Sequence, residues 1–117
     1  MFDFEKLEVY QVTKTQNFDL MKWLMNNKDL DKDFADQWKA ASMSTVLNLA
    51  ESTARMAHAE KKHYLTIARG NINACVVLLE VAKEFKWIAS SISEQFYAKY
   101  EQMSKMMLGM IRSFTEK

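Results

Sequence analysis

Proline is absent from this 117-residue chain, and glycine occurs only at Gly70 and Gly109. These residues punctuate turns and hairpins, so their scarcity argues against a β-rich fold and for long helices with few connections. There is one cysteine, Cys75. A lone thiol inside Cys75-Val76-Val77-Leu78-Leu79 forms no internal disulfide, gives no sign of secretion and reads as a small core hydrophobe. The opening Met-Phe-Asp-Phe-Glu-Lys lacks the basic-then-apolar pattern of a signal peptide. No uninterrupted apolar run approaches the ~20 residues that span a bilayer. A soluble, cytoplasmic protein with no membrane partner is expected. Net charge is +1, so bulk electrostatics does not point to nucleic acid, although a local basic face remains open.

Hydrophobic residues make up 49% of the chain, enough for one core, and the length suits a single domain over residues 1–117. The spacing predicts a first helix over 4–25, with Asp3 as its N-cap and Phe4, Leu7, Tyr10, Phe18, Met21 and Leu24 as its inner face. Its middle, Thr13 to Asn17, is polar. Asn26 to Asp29 reads as a loop, after which Asp31 or Asp33 caps a second helix carrying Phe34, Trp38, Ala41, Thr45 and Asn48. A turn is expected between Ser52 and Ala59. The third helix carries Leu65, Ala68, Ile72, Cys75, Leu79 and Ala82 at alternating spacings of three and four. Val76, Val77 and Val81 fall on its remaining faces, so it is apolar nearly all round and something beyond one bundle must cover it. This marks the three valines as an expected oligomer interface. Trp87 to Ile92 reads as a connection, with Ser91 and Glu94 as a capping box for a fourth helix bearing Phe96, Tyr100, Met103, Met107, Met110 and Phe114. Short loops between long helices imply an all-α, up-down-up-down four-helix bundle.

Each kind of chemistry that such bundles carry needs its own set of residues. A di-iron site takes two Glu-x-x-His motifs. Glu60-Lys61-Lys62-His63 matches once, and the other histidine, His58, belongs to no second copy. Asp29, Asp31 and Asp33 resemble the start of a calcium loop, but Phe34 stands where glycine is required and Ala40 where the bidentate glutamate is required. Cys75 and His63 are twelve residues apart on one helix, roughly 18 Å, too far to form a nucleophile–base pair. No phosphate-cradling glycine loop exists. Neither a catalytic residue, a metal nor a cofactor is expected. The nine methionines read first as core filling, with an adaptable groove as the alternative.

Two polar constellations remain. Asn48 and Glu51 lie at i and i+3 in Leu47-Asn48-Leu49-Ala50-Glu51, where they read as a structural polar pair or as part of a ligand or partner site. Arg55, Lys61, Lys62 and Arg69 cluster near the start of the third helix. Residues 1–40 carry 6 Lys+Arg against 8 Asp+Glu, and residues 41–117 carry 10 against 7. This segregation makes the four cations candidates for phosphate contact with RNA or DNA, a solvated face being the alternative.

Phe2-Asp3-Phe4-Glu5-Lys6-Leu7-Glu8-Val9-Tyr10 resembles the opening of the bacterial four helix bundle protein family, whose members are often encoded in intervening sequences of 23S ribosomal RNA genes. Leu47-Asn48-Leu49-Ala50-Glu51 resembles that family's Asn-Ile-Ala-Glu-Gly motif. Leu65-x-Ile67-Ala68-Arg69-Gly70 resembles its Leu-x-Ile-Ala-x-Gly-Ser. The chain departs from the pattern at Val46 (proline in the family), Ser52 (glycine), Asn71 (serine), Ala74 (glutamate) and Ala40, where one arginine of a basic pair is lost while Lys39 keeps the other charge. The resemblance implies a four-helix bundle assembling into a ring-like homopentamer. It also points to the accessory variability protein of diversity-generating retroelements, which presents a basic surface to nucleic acid and a reverse transcriptase. The expected function is thus a non-enzymatic, self-assembling bundle that contacts nucleic acid or a nucleic-acid enzyme. The alternative is a protein–protein adaptor or structural homo-oligomer.

Overall fold

The computed structural model describes residues 1–114. A short 3-10 turn, Asp3–Lys6, precedes four helices: α1 (Glu8–Asn26), α2 (Lys32–Ala54), α3 (His58–Glu84) and α4 (Ser90–Ser113). Each helix packs on its chain neighbours, and α1 also meets α4, which closes the four into a ring. The connections are three to five residues long, so consecutive helices run antiparallel. The bundle measures 48 × 28 × 22 Å.

The α3 register is as the spacing predicts: Leu65, Ala68, Ile72, Cys75, Leu79 and Ala82 are all buried. In α4, Phe96, Tyr100, Met103 and Met107 are buried, with Met110 and Phe114 half-buried beside them. The α1 face differs from expectation. Its buried residues are Val9, Thr13, Gln16, Asn17 and Leu20, while Phe18 is exposed. The polar middle of α1 therefore faces inward. It is tolerated because most of it is hydrogen-bonded. Gln16 Nε2 donates to the Phe96 carbonyl at 3.0 Å, and Asn17 Oδ1 accepts from Ser42 Oγ at 2.7 Å. Thr13 Oγ1 is buried without a partner among the described residues. At the centre, Trp38 Nε1 donates to Tyr100 Oη at 3.0 Å, and the rings of Trp23, Phe34 and Phe96 meet Trp38 edge-on.

Helix ends follow the local chemistry only in part. Asp31 caps α2 by accepting from the Phe34 N–H at 2.9 Å. Asp3 lies in the 3-10 turn, and α1 starts after Leu7. The Ser91–Glu94 capping box does not form, because α4 begins at Ser90 behind Ala89 and so places Ser91 inside the helix. At the end of α3, Lys86 adopts φ 58°. The Trp87 N–H returns to the Ala82 carbonyl at 2.9 Å and the Lys86 N–H to that of Lys83 at 3.0 Å. This is a Schellman closure with lysine at the left-handed position that glycine usually fills.

Candidate interaction surfaces

The buried stripe of α3 has a counterpart on its outer side. His63, Ile67, Gly70, Ala74, Val77 and Val81 follow one another at spacings of four and three, which puts them on one helix face. All but the half-buried Val81 are exposed, Ile67 at 37% and Val77 at 57%. From Ile67 to Val81 this stripe contains no charge. An 18-residue window of α3 averages a hydropathy of 1.4, and only 33% of it is buried within the subunit. Counted as a window rather than an uninterrupted run, α3 is long and apolar enough to cross a membrane by length and composition. The core helix of a protein that meets no membrane passes the same test. Gly70 occupies the middle of the stripe, and a Cβ built there would meet no heavy atom within 4 Å.

The three valines expected at an interface are therefore split. Val77 is exposed and borders the α3/α4 groove as well as the outer stripe, Val81 lies half-buried one turn on, and Val76 is half-buried in the groove wall. Ile67, Gly70 and Ala74, which were not among the expected interface residues, complete the face. Their alternating spacing was visible from Ile67 onward.

The four candidate cations are also unequal. Arg55 donates through Nη2 to the Glu51 carboxylate and to Tyr64 Oη at 3.1 Å. Its guanidinium lies 4.8 Å from the Tyr64 ring centre, and Glu60 is 3.9 Å from Nη1. The Glu51 hydrogen bond is the main cause of a raised Arg55 pKa. Lys61 Nζ reaches the Ser52 and Thr53 carbonyls at 3.4 and 3.5 Å, where it satisfies the C-terminal carbonyls of α2. Arg69 donates to Ser104 on α4, from Nε to the carbonyl at 3.2 Å and from Nη2 to Oγ at 3.2 Å. The Lys62 side chain has no ion pair or hydrogen bond among the described residues. Arg55 and Lys61 thus hold the α2–α3 corner together, and only Lys62 and the outer edge of Arg69 are left for an external anion.

Asn48 and Glu51 do not form the expected pair. Asn48 Nδ2 donates to the Ser44 carbonyl at 2.8 Å and to Ser44 Oγ at 3.0 Å, while Glu51 pairs with Arg55. The i, i+3 spacing brought them to one side of α2, but each found a stronger partner one turn away.

Between α3 and α4 lies a groove of about 490 Å³ with Ile72 and Tyr100 in its floor and Arg69, Tyr97, Glu101 and Lys105 on its rim. No reactive group lines it. Burial pushes the Cys75 thiol up to about 12, a shift that the Tyr100 hydroxyl only partly offsets, so Cys75 stays protonated and behaves as core. His63 meets the Tyr64 ring and His58 the Phe114 ring, each at 5.2 Å. Among the described residues no three His, Cys, Asp or Glu side chains converge as a metal site would require.

A family model described as 23S rRNA-intervening sequence protein matches residues 5–109. No curated protein matches the chain. Among solved structures, the chain is similar to a protein of unknown function from the S23 ribosomal protein family of Bacteroides thetaiotaomicron VPI-5482. The TM-score is 0.83 at 16% identity, over 88% of this chain and 97% of that one. At that identity the likeness shows a shared fold.

Proposed function

Since the chain belongs to the 23S rRNA-intervening sequence protein family, we propose that it is a non-enzymatic cytoplasmic subunit that assembles with copies of itself through the outer face of α3. The carrying observation is Gly70. Glycine inside a helix costs about 1 kcal/mol relative to alanine, and nothing in the subunit requires it, because the space beside it is open. A glycine and an alanine one turn apart in an uncharged stripe let a second backbone come close. Self-association also covers apolar surface that the bundle cannot bury. The family resemblance makes five subunits the best guess. Gel filtration with light scattering should give a multiple of 13.7 kDa, and Val77→Glu should dissociate it. A clean monomer at tens of micromolar would remove the reading.

Contact with RNA or DNA is the second reading. It is favoured by Lys62 and Arg69 on α3, with Lys105 and Arg112 at the same spacing of seven on α4. Four such charges give weak binding that falls with salt. Labelled RNA and DNA titrated at two salt concentrations should bind the wild type at low salt and a Lys62→Glu/Lys105→Glu variant much less. If wild type binds neither nucleic acid nor itself, the α3 face serves another protein, as an adaptor would.

A further inference from the structure

The α3/α4 groove orders three chemistries along one edge. Tyr97, Glu101 and Lys105 are spaced i, i+4, i+8 on α4, so an aromatic ring, a carboxylate and an ammonium follow one another at about 6 Å per step. Opposite the ammonium end stands Arg69. Three hydrogen bonds to Ser104 hold its guanidinium by Nε and Nη2, and these leave Nη1 uncommitted. Arg69 has no carboxylate partner among the described residues, and neither does Lys105. Glu101 makes no ion pair with Lys105 despite the favourable spacing. Tyr97 is 50% exposed and lines the groove together with the apolar Ile72 and Val76.

We propose that this groove binds a nucleoside 5′-monophosphate, free or at the 5′ end of an RNA strand. The ligand carries phosphate, ribose and base in the order in which the groove carries cations, carboxylate and aromatic ring. Arg69 and Lys105 take the phosphate by charge-assisted hydrogen bonds, and the fixed guanidinium loses little freedom on doing so. Glu101 accepts from the ribose hydroxyls, the role a carboxylate plays in dinucleotide-binding folds. Its negative charge also disfavours a bare phosphate dianion that is free to settle beside it. Tyr97 stacks on the base, an interaction worth ~1–3 kcal/mol and tolerant of base identity. The volume of about 490 Å³ is within the usual range for small-molecule sites.

Isothermal titration with AMP, adenosine and inorganic phosphate tests the site on the intact protein, with light scattering in the same buffer to follow the assembly separately. AMP should bind in roughly the 0.1–1 mM range, as expected for a few contacts at an open groove. Adenosine and phosphate should each bind at least ten-fold more weakly, and deoxy-AMP several-fold more weakly through loss of a hydroxyl at Glu101. Lys105→Gln, Glu101→Gln and Tyr97→Ala alter exposed side chains, and each should weaken AMP at least five-fold while the helical circular dichroism is kept. A 5′-phosphorylated RNA trinucleotide that binds ten-fold more tightly than AMP assigns the site to strand ends, and equal affinity assigns it to the free nucleotide. The proposal falls if AMP shows no binding at about 5 mM, if adenosine binds as well as AMP, or if the three variants bind like wild type.

Discussion

Replacing Gly70 with alanine separates the needs of the subunit from those of the assembly. Within the subunit the added methyl meets open space, the backbone stays helical, and the gain is the helix-propensity difference of about 1 kcal/mol. In a domain of this length that raises the melting temperature by about 4 °C. In the assembly the same methyl enters a seam built for close backbone approach. Overpacking of that kind costs ~1–3 kcal/mol, which is about a five- to 150-fold weaker association per contact. Thermal melts over a hundred-fold range of concentration read both effects. The variant should melt above wild type at the dilute end, where subunits are free, and lose that advantage at the concentrated end. A uniform rise at every concentration, with an unchanged dissociation constant, would place the seam elsewhere on the molecule. A fall at the dilute end would refute the open-space argument itself.

Lys86 sits at φ 58°, so Lys86→Gly should raise stability by roughly 0.5–1 kcal/mol, read as a higher urea midpoint; a lower midpoint would deny the strain. Tyr100→Phe removes the acceptor of the buried Trp38 N–H and should cost ~1–3 kcal/mol, with a red shift in tryptophan emission if water enters; an unchanged midpoint would mean the indole finds another acceptor. The Cys75 thiol has its pKa raised by burial from 9.0 to about 12. The unfolded chain releases that proton first, so the contribution is complete below pH 9 and is lost as pH rises toward 12. Urea midpoints should therefore fall through this window, and less steeply in Cys75→Ala; equal slopes would show that the thiol is not the titrating group.

The α3 core was legible because its apolar residues hold one helical period for five turns. The inner face of α1 was not. Phe18 outweighs Thr13, Gln16 and Asn17 on any hydropathy measure, yet the polar three turn inward: Phe96 offers Gln16 a partner and Ser42 and Met43 offer Asn17 theirs, all three on other helices far along the chain, while Thr13 Oγ1 goes without. The same limit applied to the surfaces. Charge type and spacing found Arg55, Lys61 and Arg69, but whether a cation is free depends on what stands across from it. Ser104 is 35 residues away from Arg69, and no local pattern announces the contact. Asn48 and Glu51 show the converse, where proximity on a helix face was legible and the competing partners at Ser44 and Arg55 decided the outcome.

The inward polarity of α1 bears on how the chain is made. α1 leaves the ribosome first, yet the carbonyl that receives the Gln16 amide, that of Phe96, comes 80 residues later. At ~5–20 residues per second that interval is about 4–16 s. A helix with a fully apolar inner face would spend those seconds offering a sticky surface to every other nascent chain. In α1 the fully buried apolar residues are Val9 and Leu20, with Tyr10, Val12, Trp23 and Leu24 partly buried around them, and between Val9 and Leu20 stand three buried polar side chains that water satisfies well in the meantime. The lining that leaves Thr13 Oγ1 unpaired among the described residues is thus the part of α1 that water satisfies until α4 arrives to close the bundle.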